Sequence, residues 1–407
     1  MFLLKLAVLN IGRNPRRSVV TILAVSVGLA AVVFLQAFMD GSKEQQRDNA
    51  VRLYTGHVQI QAAGFDKKLA AELTVPDSVS ILPRIQSQAH VVAVTERVKS
   101  EGLIGTSENS RGVLILGIDP EREAAVTDIH KYVDRGAYLS AGDDRSVMIG
   151  DKLAERIEAG RGDKGVVMTQ AVDGTLAGYA YRVKGILHAG NTMLDEVCIF
   201  MTVQSARDLL GIEGLSHQFV VRLTGRDAIA AFLPAVKKFL PAGTYEVLTW
   251  DDIIPDINQW GKWADGIIGT VLVTVMVVIG VGVINTILMS IFERTKELGV
   301  MMAIGTSPDQ IVVLIFLETL VLELAGIVIG LAAGYLVVFY FSKVGITFHG
   351  AEEAFARSFM SNVTYPQLRF YRVIHTVVTL LGITAVIGLY PAWRAGRMEP
   401  VKAIYHS

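Results

Sequence analysis

The chain has 407 residues, 51% of them hydrophobic, with a formal net charge of -1 and a mean hydropathy of +0.43. The near-zero charge removes any whole-chain case for nucleic acid as a partner. A single cysteine, Cys198, excludes an intramolecular disulfide and a cysteine-based zinc site.

Residues 1–17, MFLLKLAVLNIGRNPRR, place Phe2, Leu3, Leu6 and Leu9 near one helical stripe, widened by Leu4, Val8 and Ile11. This predicts a short helix in the cytoplasmic interface, with Arg16 and Arg17 at the headgroups. The plainer alternative is a basic flank to the span that follows. Residues 18–39 form the first apolar block long enough to cross a bilayer, which takes about 20 residues. The block is longer than a signal-peptide core and no A-x-A site follows it, so it reads as an anchor that stays.

Residues 40–265 have ordinary soluble composition and read as an α/β domain of two lobes. HVQIQ, VVAVTERV, GVLILGI, SVMIG and QFVVRL are its strand candidates. DKLAERIEAG, SARDLLGI and DAIAAFLPAVKKFL are its helix candidates, with Pro234 arguing against one continuous helix in the last. Cys198, in DEVCIFM, reads as a small buried hydrophobe. Then come a second span (266–292), a short charged helix and loop (293–308), a third span (309–342), a loop (343–372), a fourth span (373–393) and a tail (394–407). Lys5, Arg13, Arg16 and Arg17 precede the first span, and Arg394, Arg397 and Lys402 follow the last. Basic flanks mark the cytoplasmic side. Both termini and the 293–308 loop are therefore expected in the cytoplasm, with the large domain and the 343–372 loop outside. The fold class is an integral membrane α-helical protein of four transmembrane helices, with a large extracytoplasmic α/β domain inserted between the first two.

Catalytic signatures are missing. There is no G-x-x-x-x-G-K-[ST], no G-x-S-x-G and no H-E-x-x-H. The eight histidines are dispersed, and no metal or cofactor residue is expected. Among the polar residues within the spans, Asn285, Glu318 and Glu323 stand out. Stranding an acid in hydrocarbon is costly, so each is either protonated or hydrogen-bonded to a neighbouring helix, or part of a coupling or polar path. Glu318 and Glu323 point about 140° apart on a helix and do not form one paired site. No Lys or Arg partner is visible within the spans. GVGVIN, with Gly280 and Gly282, reads as small residues for close packing.

The run VVIGVGVINTILMSIFERTKELGVMMAIGTSPDQIVVLIFLETL resembles the membrane core of the FtsX-like/MacB-like ABC permeases. The likeness is carried by Ile284-Asn285-Thr286, by Arg294, Glu297, Leu298 and Gly299, and by Met302-Ala303-Ile304-Gly305-Thr306-Ser307. Met302 stands where that family commonly has arginine. NIGRNPRRSVVTIL is similar to the family's entry to its first span. YPAWRAGRMEPVKAIYH is similar to its tail, through Pro391, Ala392, Ala395, Pro400 and Ala403. The resemblance implies that the charged loop is a coupling helix docking on a separate cytoplasmic ABC ATPase, present in two copies, which binds the ATP and Mg; this chain holds no cofactor. Its expected interface residues are Arg294, Glu297, Leu298, Gly299, Met301, Met302 and Gly305. A second permease copy or a paralogue completes the assembly in the bacterial inner membrane.

Within the family, GHVQIQ and DEVCIFMTVQSARDLLGI are similar to the LolC/LolE type, which extracts lipoproteins from that membrane. The S-x-I-S element common in the first span of that type is absent. The MacB type, exporting peptides or drugs with a periplasmic adaptor, and the FtsX type, regulating a wall hydrolase, are the alternatives. No substrate-binding residue is identified.

Overall fold

Apolar side chains all around a long segment leave a helix no soluble solution, because neither face tolerates water. In the computed structural model the four apolar blocks are helices at Pro15–Ala50, Pro255–Glu293, Pro308–Val344 and Phe370–Gly396, each long and apolar enough to cross a membrane. Residues 2–13, 15–241, 243–350 and 352–397 are described, with side chains for all of these except 2–4, 8, 11, 352 and 353. The expected interfacial stripe at Phe2, Leu3, Leu4, Val8 and Ile11 and the tail residues Pro400, Lys402 and Ala403 thus lie outside the described side chains. The chain divides into a helical unit (Met1–Lys43, Gly261–Thr347, Val363–Ser407) and an α/β unit (Glu44–Trp260, Phe348–Asn362).

In the helical unit, the first long helix buries Val25, Leu29, Val33 and Ala37, and the second buries Met276, Ile279, Val283, Ile287 and Ile291. These recur every three or four residues, one stripe of each helix. Val27, Val278, Val328 and Val378 on the opposite faces are exposed, as lipid-facing positions are. The third long helix meets the first through glycines four residues apart. A β-carbon on Gly330 would lie 2.8 Å from the Ser26 carbonyl oxygen and 2.9 Å from its Cα, and one on Gly326 would lie 2.7 Å from Val25 Cβ. Small residues here allow backbone approach. Of the two glycines singled out in the second span, Gly280 faces Ile387 Cδ1, 2.6 Å from its missing β-carbon, whereas nothing lies within 4 Å of that position at Gly282.

Polar side chains in these helices find partners across helices. Gln36 Nε2 donates to Thr376 Oγ1 at 3.0 Å, Thr21 and Thr286 hydroxyls meet at 2.9 Å, and the Thr384 hydroxyl donates to Glu323. Toward the other end of the unit, Asp265 pairs with Lys43 at 2.7 Å and with Arg372 at 3.1 Å.

In the α/β unit ten strands form one sheet: β1 (Val58–Ala62), β2 (Val91–Gly105), β3 (Ser110–Ile118), β4 (Val133–Gly136), β5 (Ser146–Gly150), β6 (Lys164–Gln170), β7 (Leu176–Leu187), β8 (Cys198–Thr202), β9 (Gln218–Leu223) and β10 (Tyr245–Thr249). Their order is β10-β1-β9-β2-β3-β8-β5-β7-β4, with β6 pairing β2 and β7. The two lobes expected from the alternation of strand and helix share this sheet. The reason is β2, long enough to pair with β9 through its first half and with β3 and β6 through its second.

Helices Asp151–Arg156 and Val203–Leu210 cover one face, burying Leu153, Ala206 and Leu209 against Val98, Ile115, Ile149 and Ile199. Helix Ile229–Lys237 keeps Pro234 within it. Cys198 is fully buried, and burial pushes its thiol up to about 12, which keeps it protonated and inert. The segment Phe348–Asn362 belongs to this unit. Phe359 enters its core, Gln46 Nε2 donates to the Ser358 carbonyl at 2.6 Å, and Asn49 Nδ2 to the Phe359 carbonyl at 3.1 Å.

Candidate functional site

The charged turn after the second long helix is built by three local signals. Thr295 Oγ1 donates back to the Ile291 carbonyl at 2.8 Å, and a new short helix then runs Thr295–Ala303. Gly305 adopts φ +108°, a conformation that glycine takes without a side-chain clash. Ser307 and Gln310 then form a capping box that starts the third long helix.

The short helix turns its apolar edge inward. Leu298 is buried, with Met301 and Met302 packed against the helical core, and Gly299 is buried beside them. Its charges form a chain of ion pairs. Arg13, from the helix Phe2–Arg13, grips Glu297 with both terminal guanidinium nitrogens, Nη2 at 2.6 Å and Nη1 at 3.0 Å. The hydrogen bonds from Arg13 hold the Glu297 carboxyl below the usual carboxylate range. Arg294 reaches Glu297 at 3.3 Å and Glu318 at 2.8 and 3.1 Å. Asn10 Nδ2 adds a 2.5 Å bond to Glu318. Bidentate Arg–carboxylate geometry fixes orientation as well as charge. Five side chains thus tie the amino-terminal helix, the turn and the third long helix together.

This arrangement locates the residues singled out above. Glu318 does have a cationic partner, Arg294, which sits in the turn just outside the spans; a search along the spans alone misses it. Glu323, buried at 3% exposure, bonds to the fourth long helix through Thr384. The two acids engage different neighbours, as their 140° separation requires. Asn285 is exposed on the second long helix. Arg294 and Glu297 are committed to partners within the chain, and Leu298, Met301 and Met302 to the core.

Facing outward is a row in which Lys296 belongs to the charged edge expected from the sequence and Val300 and Ile304 extend it. Lys296, Val300 and Ile304 recur every four residues on one edge, with Val300 49% and Ile304 80% exposed. The helical period of the segment was the signal that finds them.

Comparison with known proteins places these features in context. Residues 18–239 match the family model of the MacB-like periplasmic core domain, and residues 269–400 match the FtsX-like permease C-terminal model. Over 430 residues the chain is 24% identical to "Macrolide export ATP-binding/permease protein MacB" of Shewanella oneidensis, covering 98% of this chain and 60% of that protein. It is 20% identical over 404 residues to "Lipoprotein-releasing system transmembrane protein LolC" of Xylella fastidiosa, covering 95% of this chain and 93% of that one. The chain therefore spans about 60% of the length of the macrolide exporter it matches. Among solved structures, the periplasmic region of MacB from Actinobacillus actinomycetemcomitans aligns with a TM-score of 0.37 at 14% identity, covering 51% of this chain and 94% of that one.

Proposed function

The chain belongs to the MacB-like periplasmic core domain family and carries an FtsX-like permease C-terminal region, and from that premise we propose that it is the permease subunit of an ATP-driven ABC transporter. ATP and Mg2+ are bound and hydrolysed by a separate cytoplasmic ATPase, two copies of which serve two permease chains. The four long helices lie in the bacterial inner membrane, with both termini in the cytoplasm and the α/β unit outside.

The observation that carries this reading is the short helix Thr295–Ala303. It sits in a loop between two spans and presents a mixed edge of Lys296, Val300 and Ile304 to its surroundings. Exposed apolar side chains beside a charge suit a protein groove better than water. Its inward charges are clamped to the amino-terminal and third long helices, so a push on the outward edge moves the spans instead of being absorbed by a loose loop. Rigid elements with discrete packings are what two-state transmission needs.

The cargo we favour is a lipid-anchored protein drawn from the membrane. Near-complete mutual coverage with the lipoprotein-releasing relative, 95% and 93%, supports it. Export of peptides or drugs with a periplasmic adaptor is the second reading, favoured by the higher identity, 24%, to the macrolide exporter.

The test is the double variant Arg294→Ala/Glu297→Ala. It removes the clamp and leaves the outward edge in place. Transport should fall about 10-fold or more, the scale of a 1–3 kcal/mol coupling, while the four long helices and ATP hydrolysis by the partner persist. Full transport by the double variant would remove the clamp from the mechanism.

A further inference from the structure

The ends of β5 and β7 bring Asp151 to His188, 37 residues further along the chain, with Asp195 close to both. The two strands run parallel, with Gly150 opposite Leu187, so the residues that follow, Asp151 and His188, leave the sheet side by side. The carboxyl ends of parallel strands are where α/β folds place ligands. Asp195 arrives from the turn Met193–Val197 that precedes β8, itself a neighbour of β5. Its approach depends on Gly150, whose missing β-carbon would sit 2.2 Å from the Asp195 carbonyl oxygen. His188 Nδ1 lies 2.6 Å from Asp151 Oδ2, and one donor atom from each of the three residues falls within 4.8 Å of the other two.

We propose that Asp151, His188 and Asp195 form a binding site for a first-row divalent cation, with zinc as the best fit. One imidazole and two carboxylates are a zinc donor set, and three protein ligands leave a fourth position open. Donor atoms in a tetrahedral site with bonds of about 2.1 Å stand about 3.4 Å apart, so small side-chain rotations close the set. The surroundings orient the ligands. Asp195 accepts the backbone N–H groups of Ala189 and Asn191 at 2.7 and 3.0 Å, the outer-shell support that metal-binding carboxylates have. The nearby cations are spent elsewhere: Lys152 and Arg156 both pair with Glu196, at 3.5 and 2.7 Å. A cavity of about 500 Å3, lined by His188, Asp195, Asn191, Asn49 and Asn362 among others, gives access. A bound cation would pin the 188–195 turn, from which Asn191 Nδ2 donates to the Ala356 carbonyl at 2.8 Å. It would thereby fasten the returning segment Phe348–Asn362 to the sheet. This inference does not depend on the transport reading.

The experiment uses the full chain, purified in detergent without a histidine tag, stripped with EDTA and titrated calorimetrically with ZnCl2. One equivalent should bind, and zinc should raise the thermal midpoint. His188→Ala, at a residue 59% exposed in its side chain, leaves the fold intact and should weaken binding at least 10-fold, the scale of losing a ligand or its support. Asp151→Asn should weaken it as well. His349→Ala, elsewhere in the unit, should bind as the unaltered chain does. Absence of stoichiometric binding in the unaltered chain, or equal affinity in His188→Ala, overturns the site.

Discussion

Arg97→Ala should destabilise the α/β unit by about 3–5 kcal/mol, the cost of breaking a buried ion pair from one side. Arg97 and Glu123 are 2% and 1% exposed. They meet through two bonds of 2.6 and 3.1 Å, Arg97 also donates to the Tyr54 carbonyl at 2.7 Å, and Thr127 donates to Glu123 at 2.7 Å. Every polar atom of the pair that matters is spoken for, so removing the guanidinium leaves a carboxylate buried without its counter-charge and a carbonyl without its donor. A domain of ordinary stability, about 5–15 kcal/mol, loses a large part of it. The apolar double replacement Arg97→Met/Glu123→Leu should recover much of the loss, because no charge is then left alone. Thermal unfolding of the purified chain reads both. An Arg97→Ala midpoint equal to the unaltered chain's would mean that the pair is not buried as described.

Gly330→Leu should abolish function through the helical unit. At this position the first β-carbon already collides with the backbone of Ser26, and backbone cannot rotate away as a side-chain tip can. Overpacking a filled interior costs about 1–3 kcal/mol where side chains yield, and more where a whole helix must shift. The third long helix carries Glu318, so displacing it from the first also strains the clamp with Arg294 and Asn10. Gly282→Leu, with open space around the new side chain, is the matched control for adding the same bulk to a span. Transport should be lost in the first variant and kept in the second. Equal activity in both would show that the first and third helices do not approach at Gly330.

Much of this architecture is legible in the residue pattern. The apolar blocks announce four helices because nothing else satisfies the backbone of such segments away from water. The strand candidates GVLILGI, SVMIG and QFVVRL lie in strands, as does HVQIQ from Val58 on, because alternation and β-branched side chains are local signals. The hairpin of β6 and β7 was passed over. Glycines and exposed polar residues break its alternation, and it is held by cross-strand pairing that local pattern does not record. The first helix runs on past Met39 to Ala50, since a polar composition marks where an apolar block ends and not where a helix does. The return of Phe348–Asn362 to the α/β unit rests partly on side-chain amides of Gln46 and Asn49 that donate to its backbone carbonyls, which no spacing reveals.

The charged turn is legible from its motif, whereas the pairings its residues make within the chain are not. Leu298, Met301 and Met302 read as an edge for a partner; the structure buries Leu298 in the helical core and packs the half-buried Met301 and Met302 against it. Arg294 and Glu297 read as charges for a partner's groove; within the chain they also pair with Glu318 and Arg13. Distance along the chain concealed both pairings: Glu318 is 24 residues from Arg294, and Arg13 is 284 from Glu297. The cluster of Asp151, His188 and Asp195 was concealed in the same way, since dispersed histidines carry no spacing signal until a parallel strand pair brings them to acids.

The central claim is that this chain is driven by a separate ATPase through the helix Thr295–Ala303. It is tested most directly by purifying the chain from its native membrane in mild detergent and identifying by mass spectrometry what accompanies it. A P-loop ATPase of about equal abundance is the result predicted, with acylated peptides beside it if the cargo is lipid-anchored. Recovery of the intact permease with no ATPase under several detergents would contradict the account.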